Sequence, residues 1–322
     1  MTVTTFSELE LDESLLNALE SKGFTRPTAI QAAAIPPALE GRDVLGSAPT
    51  GTGKTAAYLL PVLQHLLDFP RKKSGPPRIL ILTPTRELAM QVAEHARELA
   101  ANTHLDIATI TGGVAYMNHA EVFSENQDIV VATTGRLLQY IKEENFDCRA
   151  VETLILDEAD RMLDMGFIHD VTRILDKIPN HKNLGMFSAT ISREVMDISW
   201  VYQRDPEEIT VQATKENKPD ILQYRIEIPS DQKVDTIARI IAGEKLERVM
   251  CFCNTKGSTE RLTKFLQMRG LDAQCIHGDI PQRKREAVMA LFREGKLHVF
   301  VATDVAARGI DVDDVDAVFN YD

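Results

Sequence analysis

The sequence predicts an α/β protein built from two parallel-sheet domains. Three observations carry that prediction. At 322 residues the chain is too long for one ordinary domain and comfortable for two. Short apolar runs alternate with longer amphipathic stretches, the rhythm of βαβ units around a covered parallel sheet. The rhythm stops at a polar stretch, 213–220, and then restarts.

The first domain takes its strands from DVLGSA (43–48), RILILT (78–83), DIATIT (106–111), DIVVAT beginning at Asp128, VETLIL (151–156) and NLGMFS (183–188). Each is short, apolar and rich in Ile, Val or Leu, as a strand covered on both faces requires. The longer segments between them, among them 54–67, 86–101 and 168–178, have helical length and periodicity. ATKENKPD (213–220) has no apolar periodicity and carries Lys, Glu, Asn and Pro, and is expected to link the domains. The second domain then reads LQYRIEI as a strand, a helix over 231–242, RVMCFC as a strand, a helix over 256–269, DAQCIH, a helix over 283–293, LHVFVA and VDAVFN. It ends at Asp322 inside or just after a strand, with no closing helix. The second domain is therefore expected to be truncated, with an unpaired sheet edge.

Composition narrows the function classes. Hydrophobic residues at 44% and charged residues at 26% exclude a disordered, collagenous or disulfide-framework chain. No run of eighteen apolar residues offers a membrane span, and Met1–Leu11 carries acids without the basic start of a secretory signal. A cytoplasmic protein is expected. The four cysteines include Cys251 and Cys253 at strand spacing in RVMCFC, which suits small buried hydrophobes. No set of ligands has metal-site spacing. The net charge of −12 argues against a nonspecific nucleic-acid coat but leaves a local binding track open. The acidity lies mainly in the first 218 residues, with 21 basic against 31 acidic. From residue 219 onward the balance is 15 against 17.

The sharpest chemical signal is APTGTGKT, Ala48–Thr55, placed after a strand and opening a helix. Gly51 and Gly53 let backbone N–H groups turn inward around phosphate oxygens, joined by Pro49, Thr50 and Thr52 in the same loop. The helix N-terminus adds partial positive charge. Lys54 reaches the β- and γ-phosphates, and the Thr55 hydroxyl suits Mg²⁺. Ala48 stands where the generic pattern has Gly. The partner of such a loop is an acid at the end of an apolar strand, and LILDEAD supplies it. Asp157 suits the Mg²⁺ shell, largely through water. Glu158 suits the orientation and deprotonation of an attacking water. Taken alone, two acids after a strand are as well explained by a helix cap.

DEAD at Asp157–Asp160, together with APTGTGKT and SAT at Ser188–Thr190, resembles the DEAD-box RNA helicase family. The resemblance spans the chain and implies two RecA-like domains: an N-terminal segment with a Q motif over 1–31, the ATP-binding domain over 32–212, a linker over 213–220 and an incomplete second domain over 221–322. GFTRPTAIQ, Gly23–Gln31, is similar to the family's adenine-reading Q motif. By that resemblance Gln31 reads the adenine edge, Arg26 belongs to the nucleotide site, and Phe6 stacks on adenine. Read alone, Phe6 is a core residue or hydrophobic staple. The match implies ATP over GTP.

Pro84, Thr85 and Arg86 of PTREL, the pair Gly112 and Gly113, and Thr134, Gly135 and Arg136 of TTGR resemble the family's RNA-backbone contacts. Thr134 replaces the family's usual proline. Hydroxyl, guanidinium and glycine N–H groups read phosphate rather than base, although each is also common cap or turn chemistry. The Ser188 and Thr190 hydroxyls suit hydrogen bonds to Asp160 or Glu158, which by resemblance couples hydrolysis to strand separation. Read alone, SAT is a strand-end turn. In the second domain FCNTK, HGDIPQRKRE and ATDVAARGID resemble later motifs. They imply RNA contacts at Gln282, Arg285, Thr303 and Asp304, and place Arg308, Gly309 and Asp311 near the nucleotide. The basic run Arg283–Arg285 opens a helix against its dipole, which a phosphate partner would offset.

The family's last motif, HRIGRxxR, does not occur before Asp322. Arginine fingers contribute on the order of 10³–10⁵ in rate in related NTPases. The chain as given is therefore expected to bind ATP and to hydrolyse it poorly. Up to about Gly166 it looks close to the bacterial ribosome-assembly branch of the family, which implies ribosomal precursors as partners. The implied activity is RNA-stimulated ATP hydrolysis coupled to local separation of short duplexes, with RNA held without sequence reading. An ATP-gated RNA clamp without useful turnover and a DNA-acting relative stand as rivals. The natural RNA and the oligomeric state are not legible.

Overall fold

The computed structural model describes residues 3–71, 75–113, 127–178, 180–212, 221–303, 306, 312 and 314–322. Two compact units are present, Met1–Asp220 and Ile221–Asp322.

The first unit opens with a short 3₁₀ turn, Phe6–Leu9, then α1 (Glu13–Ser21) and α2 (Ala29–Leu39). Asp12 caps α1 by accepting the Ser14 N–H at 2.9 Å, and Thr28 begins α2 with a capping box closed by Gln31. The βα rhythm follows: β1 (Val44–Ser47), α3 (Lys54–Asp68), β2 (Ile79–Thr83), α4 (Arg86–Leu99), β3 (Ile107–Ile110), β4 (Ile129–Thr133), α5 (Thr134–Lys142), β5 (Thr153–Asp157), α6 (Ala159–Asp164), α7 (Ile168–Asp176), β6 (Asn183–Ser188), α8 (Arg193–Tyr202) and β7 (Glu207–Thr210). All the strands are parallel, in the order β3-β4-β2-β5-β6-β1-β7. Successive strand residues serve opposite faces. Ile79, Ile81, Ile129, Val131 and Phe187 pack with α1 to α4 on one side. Leu80, Leu82, Val130, Leu154 and Met186 pack with α5 to α8 on the other. Gly46 lets β1 approach β6, because a Cβ there would stand 2.9 Å from the Phe187 ring.

Register then decides where the chemistry goes. Ser47 pairs with Ser188, Asp157 with Phe187, and Thr83 with Thr133. The carboxyl ends of β4, β2, β5, β6 and β1 are neighbours in that order, so TTGR, PTREL, DEAD, SAT and APTGTGKT leave one edge side by side. Open parallel sheets place their ligands at this edge.

The second unit contains α9 (Lys233–Gly243), β8 (Val249–Cys253), α10 (Lys256–Met268), β9 (Ala273–Ile276), α11 (Gln282–Arg293), β10 (Val299–Thr303) and β11 (Ala317–Asn320). Its parallel sheet runs β11-β8-β10-β9. Cys251 and Cys253 are free and buried with Val249, Val299 and Val301, as small hydrophobes. One sequence expectation needs correction. LQYRIEI forms no strand: it carries no regular structure, and Leu222 (75%), Tyr224 (83%) and Ile226 (53%) are exposed. An apolar run becomes a strand only where a neighbour receives its N–H and C=O groups, and no described strand of this sheet pairs with it. Conversely β7 lacks a sequence signal, because its edge position leaves Glu207, Glu208 and Thr210 outside the core.

Candidate nucleotide and nucleic-acid site

The phosphate loop runs from buried Ala48 to Lys54 at the start of α3. Gly51 and Gly53 sit at φ +78° and +92°, the left-handed region that disfavours a side chain. Lys54 turns its ammonium back onto the loop and donates to the Ala48 carbonyl at 2.6 Å and the Pro49 carbonyl at 2.9 Å. Thr52 donates to the Pro49 carbonyl at 2.7 Å, closing the turn. Burial pulls the Lys54 ammonium below its ordinary range, while Asp157, Glu158 and Asp160 act to keep it charged. The lysine therefore senses all three acids of the DEAD motif.

Asp157 ends β5 and is buried. One carboxylate oxygen accepts the Tyr58 hydroxyl at 2.8 Å and the other accepts the Glu158 N–H at 3.0 Å. Burial pushes its carboxyl up to about 6, against the pull of the Tyr58 hydrogen bond and of Lys54. Glu158 occupies the left-handed region at φ 51° and accepts from the Arg161 guanidinium at 2.7 Å. Asp160 makes the contacts foreseen for SAT. The Thr190 hydroxyl donates to it at 2.8 Å and the Thr190 N–H at 2.9 Å, and Ser188 accepts the Asp160 N–H at 3.2 Å. SAT thus engages Asp160 rather than Glu158.

Gln31 is buried against the same loop. Its amide donates to the Gly53 carbonyl at 3.1 Å and accepts the Thr28 N–H at 2.9 Å. A Cβ on Gly53 would stand 2.4 Å from that amide nitrogen. Arg26 is exposed. Phe6 is 5% exposed and belongs to the core cluster that includes Leu9 and Leu15.

Along the same edge Pro84 is buried and Thr85 caps α4 by accepting the Leu88 N–H at 3.2 Å. Arg86 follows at the first position of that helix. Gly112 donates its N–H to the Thr133 hydroxyl at 3.3 Å, and Gly113 lies at φ +75°. Thr134 is buried at the start of α5. Gly135 is exposed and the Arg136 guanidinium lies 5.6 Å from the Tyr140 ring centre. In the second unit Arg285 donates to the Ala306 carbonyl at 3.3 Å, and Thr303 ends β10 with its hydroxyl accepting the Ala306 N–H at 3.4 Å. Gln282 begins α11. Asp304, Arg308, Gly309 and Asp311 lie outside the described residues. Two partners escaped the sequence reading, Tyr58 and Arg161. Their only signal is helical spacing, three residues after Thr55 and after Glu158.

No group of three or more His, Cys, Asp or Glu side chains suited to a metal occurs among the described residues. The donor set that fits Mg²⁺ is sparser: a threonine hydroxyl and one carboxylate, the hard oxygen donors of a phosphate-bound Mg²⁺ that keeps several waters. No described helix is long and apolar enough to cross a membrane.

Comparison with known proteins agrees with this geometry. The DEAD/DEAH box helicase family matches residues 28–198, and the helicase conserved C-terminal domain matches residues 232–322. The chain is 62% identical to the ATP-dependent RNA helicase SrmB of Escherichia coli and 53% identical to that of Haemophilus influenzae. Each match covers the whole chain, and 73% and 74% of those proteins. The likeness therefore does not stop at Gly166. Among solved structures, Saccharomyces cerevisiae Dbp5 bound to RNA and ADP BeF3 matches 99% of this chain and 81% of its own, at 29% identity and a TM-score of 0.87. A DEAD box protein from Methanococcus jannaschii matches at 37% identity with a TM-score of 0.61, over 99% of this chain and 85% of its own. With both family matches in the order of its two parallel sheets, the chain belongs to the DEAD-box ATP-dependent RNA helicases, enzymes that hydrolyse ATP.

Proposed function

We propose that the chain binds Mg²⁺-ATP at the carboxyl edge of its first sheet and couples ATP hydrolysis to local separation of short RNA duplexes. The observation that carries this is the convergence of the Lys54 loop and the DEAD acids at one sheet edge, since β1 and β5 both flank β6. On ATP binding Lys54 exchanges the Ala48 and Pro49 carbonyls for β- and γ-phosphate oxygens. The loop from Pro49 to Gly53 turns the N–H groups of Thr50 to Gly53 to the phosphates. Gln31 reads adenine, with Arg26 and Phe6 in the same nucleotide site. Thr55 and Asp157 hold Mg²⁺, largely through water, which when bound neutralises charge on the phosphates. Glu158 accepts a proton from the attacking water as its oxygen bonds the γ-phosphorus and the bond to ADP breaks, yielding ADP and phosphate. Ser188 and Thr190 carry the change at Asp160 into β6.

RNA runs along the neighbouring motifs, held through its phosphates by Pro84, Thr85, Arg86, Gly112, Gly113, Thr134, Gly135 and Arg136. Gln282, Arg285, Thr303 and Asp304 are the RNA contacts proposed for the second unit, and Asp311 is proposed for nucleotide binding by the family resemblance. Thr85 keeps a donor for this, since capping uses only its lone pairs. The domain limits proposed are 32–212 and 221–322, flanking the segments 1–31 and 213–220. A cytoplasmic enzyme acting on ribosomal precursor RNA is proposed, as the family resemblance of the sequence implies. Phosphate release should rise when single-stranded RNA is added with ATP to the chain extended by a complete second domain. No rise with RNA, or an equal rise with DNA, would sink the assignment.

A further inference from the structure

The metal side of the site has a partner that the phosphate chemistry alone does not require. Asp157 is buried, and both of its oxygens are held. The Glu158 N–H takes one and the Tyr58 hydroxyl takes the other, at 2.8 Å. Two hydrogen bonds on two oxygens fix the plane of a carboxylate, where one would leave it free to rotate. Each oxygen retains a lone pair for a further partner. The phenol itself is locked. Tyr58 is 1% exposed on α3, and its ring lies 5.2 Å, centre to centre, from Phe187, the residue before Ser188. Thr55 lies one helical turn earlier on the same helix. The Tyr58 hydroxyl therefore braces one of the two side chains assigned to Mg²⁺.

We propose that Tyr58 is a positioning residue for the metal site: its hydroxyl orients the Asp157 carboxylate to meet Mg²⁺. The inference rests on the assignment of Thr55 and Asp157 to the metal. Oxygen donors are useful to a small cation only in near-octahedral directions. Partners that orient such ligands typically contribute about 10–100-fold in metal affinity or activity. A tyrosine kept merely to fill space would need its ring and not its hydroxyl. The two roles separate cleanly in Tyr58→Phe. A smaller residue would confuse them, because the ring lines a cavity of about 90 Å³ that also touches Val62 and Phe187.

The test is the Mg²⁺ dependence of binding of a fluorescent ADP analogue, N-methylanthraniloyl-ADP, to wild type and to Tyr58→Phe. The variant should need roughly tenfold more Mg²⁺ for half-maximal tightening. Its affinity measured in EDTA should stay within about twofold of wild type, since no phosphate contact is lost. In an Asp157→Asn background the Tyr58→Phe change should have no further effect, as expected for residues acting through one contact. An unchanged Mg²⁺ requirement would reduce Tyr58 to packing. An equal loss with and without Mg²⁺ would also overturn the proposal, by tracing the effect to the loop. A wild-type affinity indifferent to Mg²⁺ would overturn the metal assignment itself, and the positioning role with it.

Discussion

Gln31→Ala separates two jobs that the structure gives one side chain. The amide holds the Gly53 carbonyl at 3.1 Å and the Thr28 N–H at 2.9 Å. A carboxamide offers two donors and two lone pairs, so each end retains capacity to read adenine after both contacts are made. The first job is structural. Losing the capping box costs about 1 kcal/mol, and losing the bond to Gly53 roughly another 1 kcal/mol. For a unit of this size each kilocalorie lowers Tm by about 2–4 °C. That loss loosens the phosphate loop for any nucleotide. The second job is adenine recognition, where a bidentate amide contact is worth about 1–3 kcal/mol. The variant should therefore weaken GTP binding only a few-fold, through the loop. It should weaken ATP binding by a further factor of about 5–150. Competition titrations of ATP and GTP against a fluorescent nucleotide, with a thermal melt in parallel, supply both readings. Equal losses for ATP and GTP would show that Gln31 only braces Gly53, and the adenine-reading role would fall. An unchanged Tm would refute the structural share.

Lys54→Ala removes the single ammonium of the loop. ATP affinity should drop roughly 10–150-fold, the worth of a charged hydrogen bond, and turnover with it; unchanged ATP affinity would count against the assignment. Glu158→Gln keeps the shape of the side chain and removes its basicity. In a chain extended through the HRIGRxxR motif it should lower kcat about 10²–10⁴-fold while ATP and RNA still bind, and near-normal phosphate release would remove Glu158 from the base role. A pH prediction concerns Glu152, at the amino end of β5. Burial pushes its carboxyl up, but hydrogen bonds from Arg78 (2.7 Å), His65 (2.9 Å) and Lys182 (3.0 Å) outweigh it and bring it down to about 2. A carboxyl lowered in the fold stabilises above its unfolded value of 4.5, and that stability is lost as pH falls toward 2. Glu152→Gln should thus be about 1–2 kcal/mol less stable in urea at pH 7, allowing for solvent screening, with the gap closing below pH 4.5. A gap that is independent of pH would mean that charge is not what the network uses.

How far the sequence could be read depends on where each interaction is encoded. The loop Ala48–Thr55 and the acids Asp157–Glu158 are contiguous, and each follows an apolar run that must be a strand end, so both motif and position were visible. The same holds for NLGMFS and RILILT, because strands covered on both faces allow no polar interruption. Legibility fails where meaning comes from a neighbour distant in sequence. LQYRIEI has strand composition, but composition supplies no partner for its backbone. Tyr58 sits in AAYLLPVL and reads as one more core residue of an amphipathic helix. Only the pairing of β5 with β6, and of β6 with β1, brings Asp157 across 99 residues to its hydroxyl. Arg161 reads as a helix surface charge until the left-handed turn at Glu158 folds that carboxylate back onto it. The pattern has a physical basis. Groups that meet ligand must leave the strand ends in fixed order, and fixed order leaves a motif. Groups that orient them can come from any element packed behind the edge. A hydroxyl there alters one position of an apolar helix and nothing in its period, so the supporting residues of such a site have to be found in space.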